Sequence, residues 1–467
     1  MNRAFNTLLL LFLGLASSAQ VFPVETIISN GVDDQRINFV ILSDGYTGPQ
    51  LTTFITDATN ISGDVFNKSP FLEYASFFNV YAIKVPSGES GADHPGTASD
   101  VSEPAHPVID VDNYFGSTFD YFNIHRLLVP VNSSAVFSVL ANSYAGYDQI
   151  IVLTNTPYYG GSGGVFATTS LENSASEIAI HEIGHSFAYL ADEYWAGDAY
   201  ANEKANMTAN SNPVTVKWSE WVGQGGINVY AHGNSGNQAN WFRPHQNCEM
   251  RFLNQQFCAV CKEAFIDRIY DLTDPIDNYS PATGIITYTG SPLNFSLDLV
   301  TPVPNTLKTV WLMNGVPFAS YTDDITLNGG DIPQGNNTLE VQVIDTTLMS
   351  KSYAPASGYV FSLNWTVKNN ILPVELFNFV ALDRGTYVDL SWSVDHEQDI
   401  KNYEVQRSGN GIDFHSLNSL QPKANDGGPA DYEMSDIYPL DGKNYYRIKI
   451  HESDGSFNFS PIRVINR

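Results

Sequence analysis

The chain has 467 residues, which suggests roughly two to four domains and ample length for real cores. Only 16% of the residues are charged and 13% are aromatic, with Tyr, Asn, Ser, Thr and Gly abundant, which suits exported β-rich modules better than a cytosolic helical protein. The 50 acidic and 23 basic residues leave a net charge of −27, which repels phosphates and excludes DNA and RNA as partners; some of the carboxylates could bind calcium.

Residues 1–19 read as an export signal. Arg3 supplies the positive start, Leu8 to Leu15 the apolar core, and Ala16-Ser17-Ser18-Ala19 the cleavage region. No later stretch is long and apolar enough to span a bilayer. Residues 20–273 form the first folded domain. Residues 36–42 predict a strand that ends in the turn Ser43-Asp44-Gly45-Tyr46. Residues 50–67 carry helical spacings, and residues 78–85 predict a second buried strand. A polar loop from Pro86 to Pro107 includes His94, and a lone loop histidine is usually not a ligand. Residues 126–130, a helical stretch and a third strand at 149–154 lead to a glycine-rich turn, Tyr158 to Gly164. No Lys-Ser/Thr follows that turn, so it is not a phosphate loop. It lets substrate approach closely or is a flexible hairpin. Strands alternating with helices describe a mixed α/β lobe.

His181-Glu182-Ile183-Gly184-His185 is an H-E-x-x-H motif inside an apolar, helix-forming run. Ser174 and Glu177 precede it as a capping-box pattern, and Ala175, Ile178, Ala179, Ile183 and Phe187 continue at helical spacing. Residues four apart on a helix sit about 40° apart around the axis and roughly 6 Å along it. That spacing lets His181 and His185 hold one zinc ion, with Glu182 beside it as general base for a hydrolysis. The third ligand is Asp192, with Glu193 as the alternative and a more distant residue such as His245 behind both. On a straight helix Asp192 would lie roughly 10 Å along the axis from His185, so the chain must turn between Ala188 and Ala191. Solvated acids at a helix end are the bland reading of that pair. Met250 is a candidate apolar floor under the metal, and residues 258–272 predict a closing helix. Cys248, Cys258 and Cys261 predict one disulfide and one free thiol ahead of a second metal site, since no second C-x-x-C or nearby His pair completes one.

After Leu272 long helices cease. Short strands at 285–288, 293–297, 309–313 and 339–345 predict an immunoglobulin-like β-sandwich over 274–369. Strictly alternating strands at 388–393, 403–408 and 444–450 follow over 370–467. They resemble a fibronectin type III module with Trp392 and Tyr446 in its core. Its opening, Leu372-Pro373-Val374-Glu375-Leu376, resembles modules that precede sorting domains in type IX secreted proteins.

Several pieces of residues 25–272 carry a more specific resemblance. They are Leu42-Ser43-Asp44-Gly45-Tyr46, Glu89-Ser90-Gly91-Ala92-Asp93-His94-Pro95 and Tyr159-Gly160-Gly161-Ser162-Gly163. They also include His181 to Phe187 with Leu190-Ala191-Asp192-Glu193-Tyr194, and Phe257-Cys258-Ala259-Val260-Cys261. This part resembles the bacterial IgA-peptidase-type family of secreted zinc metallopeptidases, which is metzincin-like. The resemblance implies a zincin-like α+β or α/β catalytic domain, with His181 and His185 as ligands and Glu182 as the catalytic carboxylate. The family usually shows Gly where this chain has Ala188 or Tyr189. In zinc peptidases of this build the strand before the active-site helix lines the cleft as an edge that can pair with an extended peptide. Tyr194, or Tyr158 or Tyr159, would stabilise the oxyanion. The expectation is a monomeric, exported zinc endopeptidase that cleaves a protein or glycoprotein. The alternative is a non-catalytic surface or glycan-binding protein that works through its sandwiches.

Overall fold

The structure, a computed structural model, describes residues 20–100, 107–351, 359–369, 376–453, 455 and 457–467. The expected export signal lies outside these residues, as do 370–375 at the expected junction of the two sandwiches. The chain divides into two compact units. The first comprises Met1–Asp277 with Leu299–Leu307 and Ile344–Val360, and the second comprises Asn278–Asp298, Lys308–Val343 and Phe361–Arg467. Among the described residues no helix is long and apolar enough to cross a membrane.

In chain order the first unit contains β1 (Val24–Ile28), β2 (Ile37–Asp44), α1 (Leu51–Val65) and β3 (Phe78–Ile83). A short pair follows, β4 (Ser117–Thr118) and β5 (Val129–Pro130), then α2 (Ser133–Ser143), β6 (Gln149–Thr154), β7 (Gly161–Ser162), β8 (Ala167–Thr169) and α3 (Ala175–Ser186). A second short pair, β9 (Tyr230–Ala231) and β10 (Phe242–Arg243), precedes α4 (Ala259–Leu272). The six-stranded sheet has the order β1-β3-β2-β6-β8-β7. Its four central strands are parallel, and β1 and β7 run antiparallel to their neighbours.

Every residue of β2 is buried, as expected of a parallel strand covered on both faces. Val40 and Leu42 pack with Val136, Val139 and Leu140 of α2 on one face. Phe39 points the other way, its ring 5.2 Å from Phe78 and 5.5 Å from Phe187 just beyond α3. The alternation of side chains along a strand thus seats α2 on one side and the α3 end on the other. At the end of β2, Asp44 is fully buried and accepts from the backbone N–H of Phe115 (3.0 Å) and Ser117 (3.2 Å). Ser87 and Gly91 of the long polar loop donate their N–H groups to the Tyr46 (2.8 Å) and Gly45 (3.0 Å) carbonyls, so the Leu42-to-Tyr46 segment anchors that loop.

One expectation about the sheet is corrected. The strand at 149–154 is interior, between β2 and β8, so it cannot be an edge. The outermost strand is β7, and Gly161 there donates to the Arg126 carbonyl (3.2 Å) and accepts from the Leu128 N–H (3.3 Å). Its backbone is already paired and offers no open ladder at that position.

Asp345 is fully buried within this unit. Its carboxylate accepts from the hydroxyls of Tyr74, Tyr270 (2.8 Å) and Thr306 (2.6 Å) and from the Thr347 N–H (2.9 Å). Removing the acceptor leaves several buried donors unsatisfied, each costing about 1–3 kcal/mol. Asp345→Ala is expected to destabilise this unit by about 3–5 kcal/mol, read by urea unfolding. A change under about 1 kcal/mol would contradict that role.

The second unit holds two pairs of sheets. In the first, Trp311 and Trp365 stack at 6.0 Å and Phe295 from the facing sheet meets Trp365 at 5.2 Å. In the second, Trp392 stacks on Tyr432 at 5.2 Å, and Tyr403 of the facing sheet lies 4.8 Å from Tyr432. Trp392 and Tyr446 are both buried, where the alternation of apolar and polar residues puts them.

Candidate metal centre

Helix α3 begins where expected, but not by the expected cap. The Ser174 side chain makes no capping bond; its N–H donates to the Glu172 carboxylate at 2.8 Å. Glu177 is drawn away from the helix start to Lys68 Nζ (2.6 Å) and the Asn254 N–H (3.2 Å). A charged partner outcompetes a backbone amide for this carboxylate.

The helix stops one residue after His185, at Ser186. The Leu190 N–H returns to the Gly184 carbonyl at 3.0 Å, and Tyr189 takes a left-handed conformation with φ 54°. This costs about 1 kcal/mol relative to glycine. Asn206 then clamps Ala191, accepting from its N–H and donating to its carbonyl, both at 2.8 Å. The chain turns between Ala188 and Ala191, and Asp192 comes back to the histidines.

His181 Nε2, His185 Nε2 and Asp192 Oδ1 form a triangle with all three sides 3.2 Å. Each imidazole is oriented from behind. His181 Nδ1 bonds the Glu249 carbonyl at 3.0 Å, and His185 Nδ1 the Leu190 carbonyl at 2.9 Å. A backbone carbonyl only accepts, so both Nδ1–H groups donate and both Nε2 atoms face the carboxylate, the orientation metal-bound imidazoles adopt. Bonds of about 2.0 Å from a metal to three atoms so spaced subtend ~105°, close to tetrahedral. The residues therefore fit zinc in number, chemistry and spacing.

The electrostatics agree with dense local charge. Burial resists protonation of His185, but the Asp192 carboxylate prevails and raises it to about 9. Burial opposes ionisation of Asp192, yet the two imidazoles hold it well below the usual carboxylate range. Glu182 is half-buried beside them, and desolvation raises its pKa.

Met250 is fully buried under α3. A Cβ at Gly184 would stand 2.5 Å from its Sδ, so the glycine between the histidines is what lets Met250 pack there. The glycine-rich turn packs on the other side. A Cβ at Gly163 would come within 2.6 Å of Glu182 Oε2 and 2.8 Å of His185 Cβ. The turn therefore lies against the helix, and its glycines serve close packing rather than flexibility.

Tyr194 lies nearly parallel to His181 with centroids 6.5 Å apart, and burial followed by the Asp192 charge keeps its phenol protonated. Tyr158 packs against Ala92, Phe119 and Leu128 instead. His245 stands beside Gly226 and outside the cluster. Glu193 is fully buried but faces away, its Oε1 3.3 Å from Cys261 Sγ. The expected disulfide is absent: all three cysteines are free, and Cys248 and Cys261 keep their sulfurs 3.7 Å apart against about 2.05 Å in a disulfide. His94 is not a lone histidine. It is buried with Asp120 and His125, whose Nδ1 lies 2.9 Å from Asp120 Oδ1.

Sequence reasoning missed Asn206, Glu249 and Arg126. Arg126, though exposed, acts on both Glu182 and Tyr194 through its charge. Glu249 is fully buried and pairs with Lys68 Nζ at 3.0 Å, holding the segment whose carbonyl orients His181. Desolvation pushes its carboxyl from 4.5 up to about 7. A raised folded-state pKa stabilises fully below the unfolded value, and that stability is lost as pH rises through the folded one. Glu249→Gln is expected to flatten the fall in unfolding stability between pH 4.5 and about 7, measured by urea melts across that range. An unchanged slope would exclude Glu249 as its source.

The family described as IgA Peptidase M64 matches residues 26–229. No curated protein matches the chain significantly. Among solved structures, the fibronectin(III)-like modules of Clostridium thermocellum CbhA align at 13% identity and TM-score 0.18, over 41% of this chain and 90% of theirs. A DUF3823 family protein from Bacteroides ovatus aligns at 8% and 0.18, over 34% and 87%. The Bacteroides ovatus mixed-linkage glucan utilization locus protein SGBP-B, solved with a heptasaccharide, aligns at 14% and 0.15, over 39% and 42%. Overlaps this weak fix neither fold nor ligand. The family match speaks for a peptidase over the non-catalytic alternative: the matched residues, 26–229, carry the H-E-x-x-H helix and Asp192.

Proposed function

We propose that this chain is an exported zinc endopeptidase with a zincin-like catalytic domain, acting on proteins or glycoproteins outside the cell. The observation that carries the reading is the 3.2 Å triangle of His181, His185 and Asp192 with both Nδ1 atoms held by backbone carbonyls. Zinc held there would supply Lewis acidity to the scissile carbonyl and acidify water. The adjacent Glu182 takes the proton from the attacking water and delivers it to the departing amide nitrogen. Desolvation raises its pKa, which makes it a stronger base. Tyr194, held protonated beside Asp192, is a donor available to a developing oxyanion. All these groups come from one chain, so a monomer suffices. Support for export comes from the sequence of residues 1–19.

Treatment with 1,10-phenanthroline is expected to lower cleavage of unfolded casein by at least about 100-fold, and zinc is expected to restore it. Full activity after complete metal removal would overturn the zinc reading while leaving the peptidase family intact.

A further inference from the structure

The geometry points to a second metal site, closed and structural, made by Cys248, Cys258, Cys261 and Glu193. All four side chains are buried, with ligand atoms within 4.8 Å of one another. Zinc–sulfur bonds of about 2.3 Å and zinc–oxygen bonds of about 2.0 Å at tetrahedral angles put two sulfurs about 3.8 Å apart and sulfur and oxygen about 3.5 Å apart. The structure has Cys248 Sγ 3.7 Å from Cys261 Sγ, and Glu193 Oε1 3.3 Å and 3.7 Å from the sulfurs of Cys261 and Cys258. These three distances match three of the six edges of a zinc tetrahedron.

Two further observations suit a cation. Glu193 is fully buried, and its Oε2 has no hydrogen-bond partner among the described residues. Arg243 acts on it through space without an ion pair. A carboxylate left in that state without a cation is costly. Cys258 occupies the N-cap position of α4, and Cys261 lies in its first turn, where the helix dipole favours thiolates. The Cys258 N–H also donates to Cys248 Sγ at 3.3 Å, a contact that offsets thiolate charge. Three thiolates and one carboxylate leave no open position, so this site binds without catalysing. It joins the segment after α3, the Cys248–Met250 turn and α4. The cysteines lie beyond the residues matched by the peptidase family.

The test uses the full chain with His181→Ala and His185→Ala combined, which leaves this second site intact. Purified in zinc-containing buffer, the double variant is expected to retain about one zinc per chain. X-ray absorption at the zinc edge should show mainly sulfur at about 2.3 Å with one light atom. Replacing zinc by cobalt should give an intense sulfur-to-cobalt charge-transfer band. Loss of zinc from the double variant would overturn the proposal, as would a zinc shell without sulfur or a cysteine disulfide in its intact mass. A wild-type protein that holds sulfur-ligated zinc yet cleaves nothing would instead count against the peptidase reading alone.

Discussion

Glu182→Gln is expected to lower kcat/KM for peptide cleavage by about 10²–10⁴-fold, the usual worth of a positioned general base. That is about 3–5 kcal/mol of transition-state stabilisation. The amide keeps the shape of the carboxylate, so fold and metal content should not change. None of the three ligand atoms belongs to Glu182, and its carboxylate lies against the Gly163 backbone on the side away from Met250. The measurement is kcat/KM on an unfolded protein substrate, beside zinc content and thermal unfolding of the same preparation. Wild-type turnover with the amide in place would remove Glu182 from proton transfer. A collapse of zinc content in step with activity would make it a structural support of the site.

The parts of this site legible in the sequence are those that follow from local periodicity. A helix carries its residues at fixed angles, so H-E-x-x-H placed two imidazoles and one acid together before any tertiary contact was known. The apolar run over residues 36–42 likewise predicted the strand β2, and strict alternation put Trp392 and Tyr446 in a core. What could not be read depends on residues distant in sequence. Asn206 clamps Ala191 across fifteen positions, and Glu249 reaches His181 across sixty-eight; neither leaves a periodic trace. The capping box at Ser174 failed because Lys68, 109 positions away, takes Glu177. The disulfide failed because spacing reveals that cysteines are close but not what else lies among them, and here it is Glu193. The choice between Asp192 and Glu193 turned on Tyr189, whose left-handed backbone no propensity for tyrosine foretells.

That choice yields the sharpest expectation. Asp192→Ala should weaken zinc at the histidine pair by more than about 100-fold, because loss of a direct ligand exceeds the 10–100-fold cost of losing an outer-shell partner. Cleavage at limiting free zinc should vanish with it. Zinc-buffered activity titrations read this directly, and raising free zinc should recover part of the rate if Glu182 remains competent. Glu193→Gln makes the contrast. Its carboxylate faces Cys258 and Cys261 rather than the imidazoles, so any weakening of zinc should fall on the sulfur site, with the histidine site holding zinc near wild-type affinity. The two acids are chain neighbours on a turn pinned by Leu190 to Gly184 and by Asn206 to Ala191. On that turn Asp192 faces the histidines and its neighbour Glu193 faces the cysteines. If Glu193→Gln shifted the zinc dependence as far as Asp192→Ala does, the turn after α3 would have to be drawn differently, and the triangle with it.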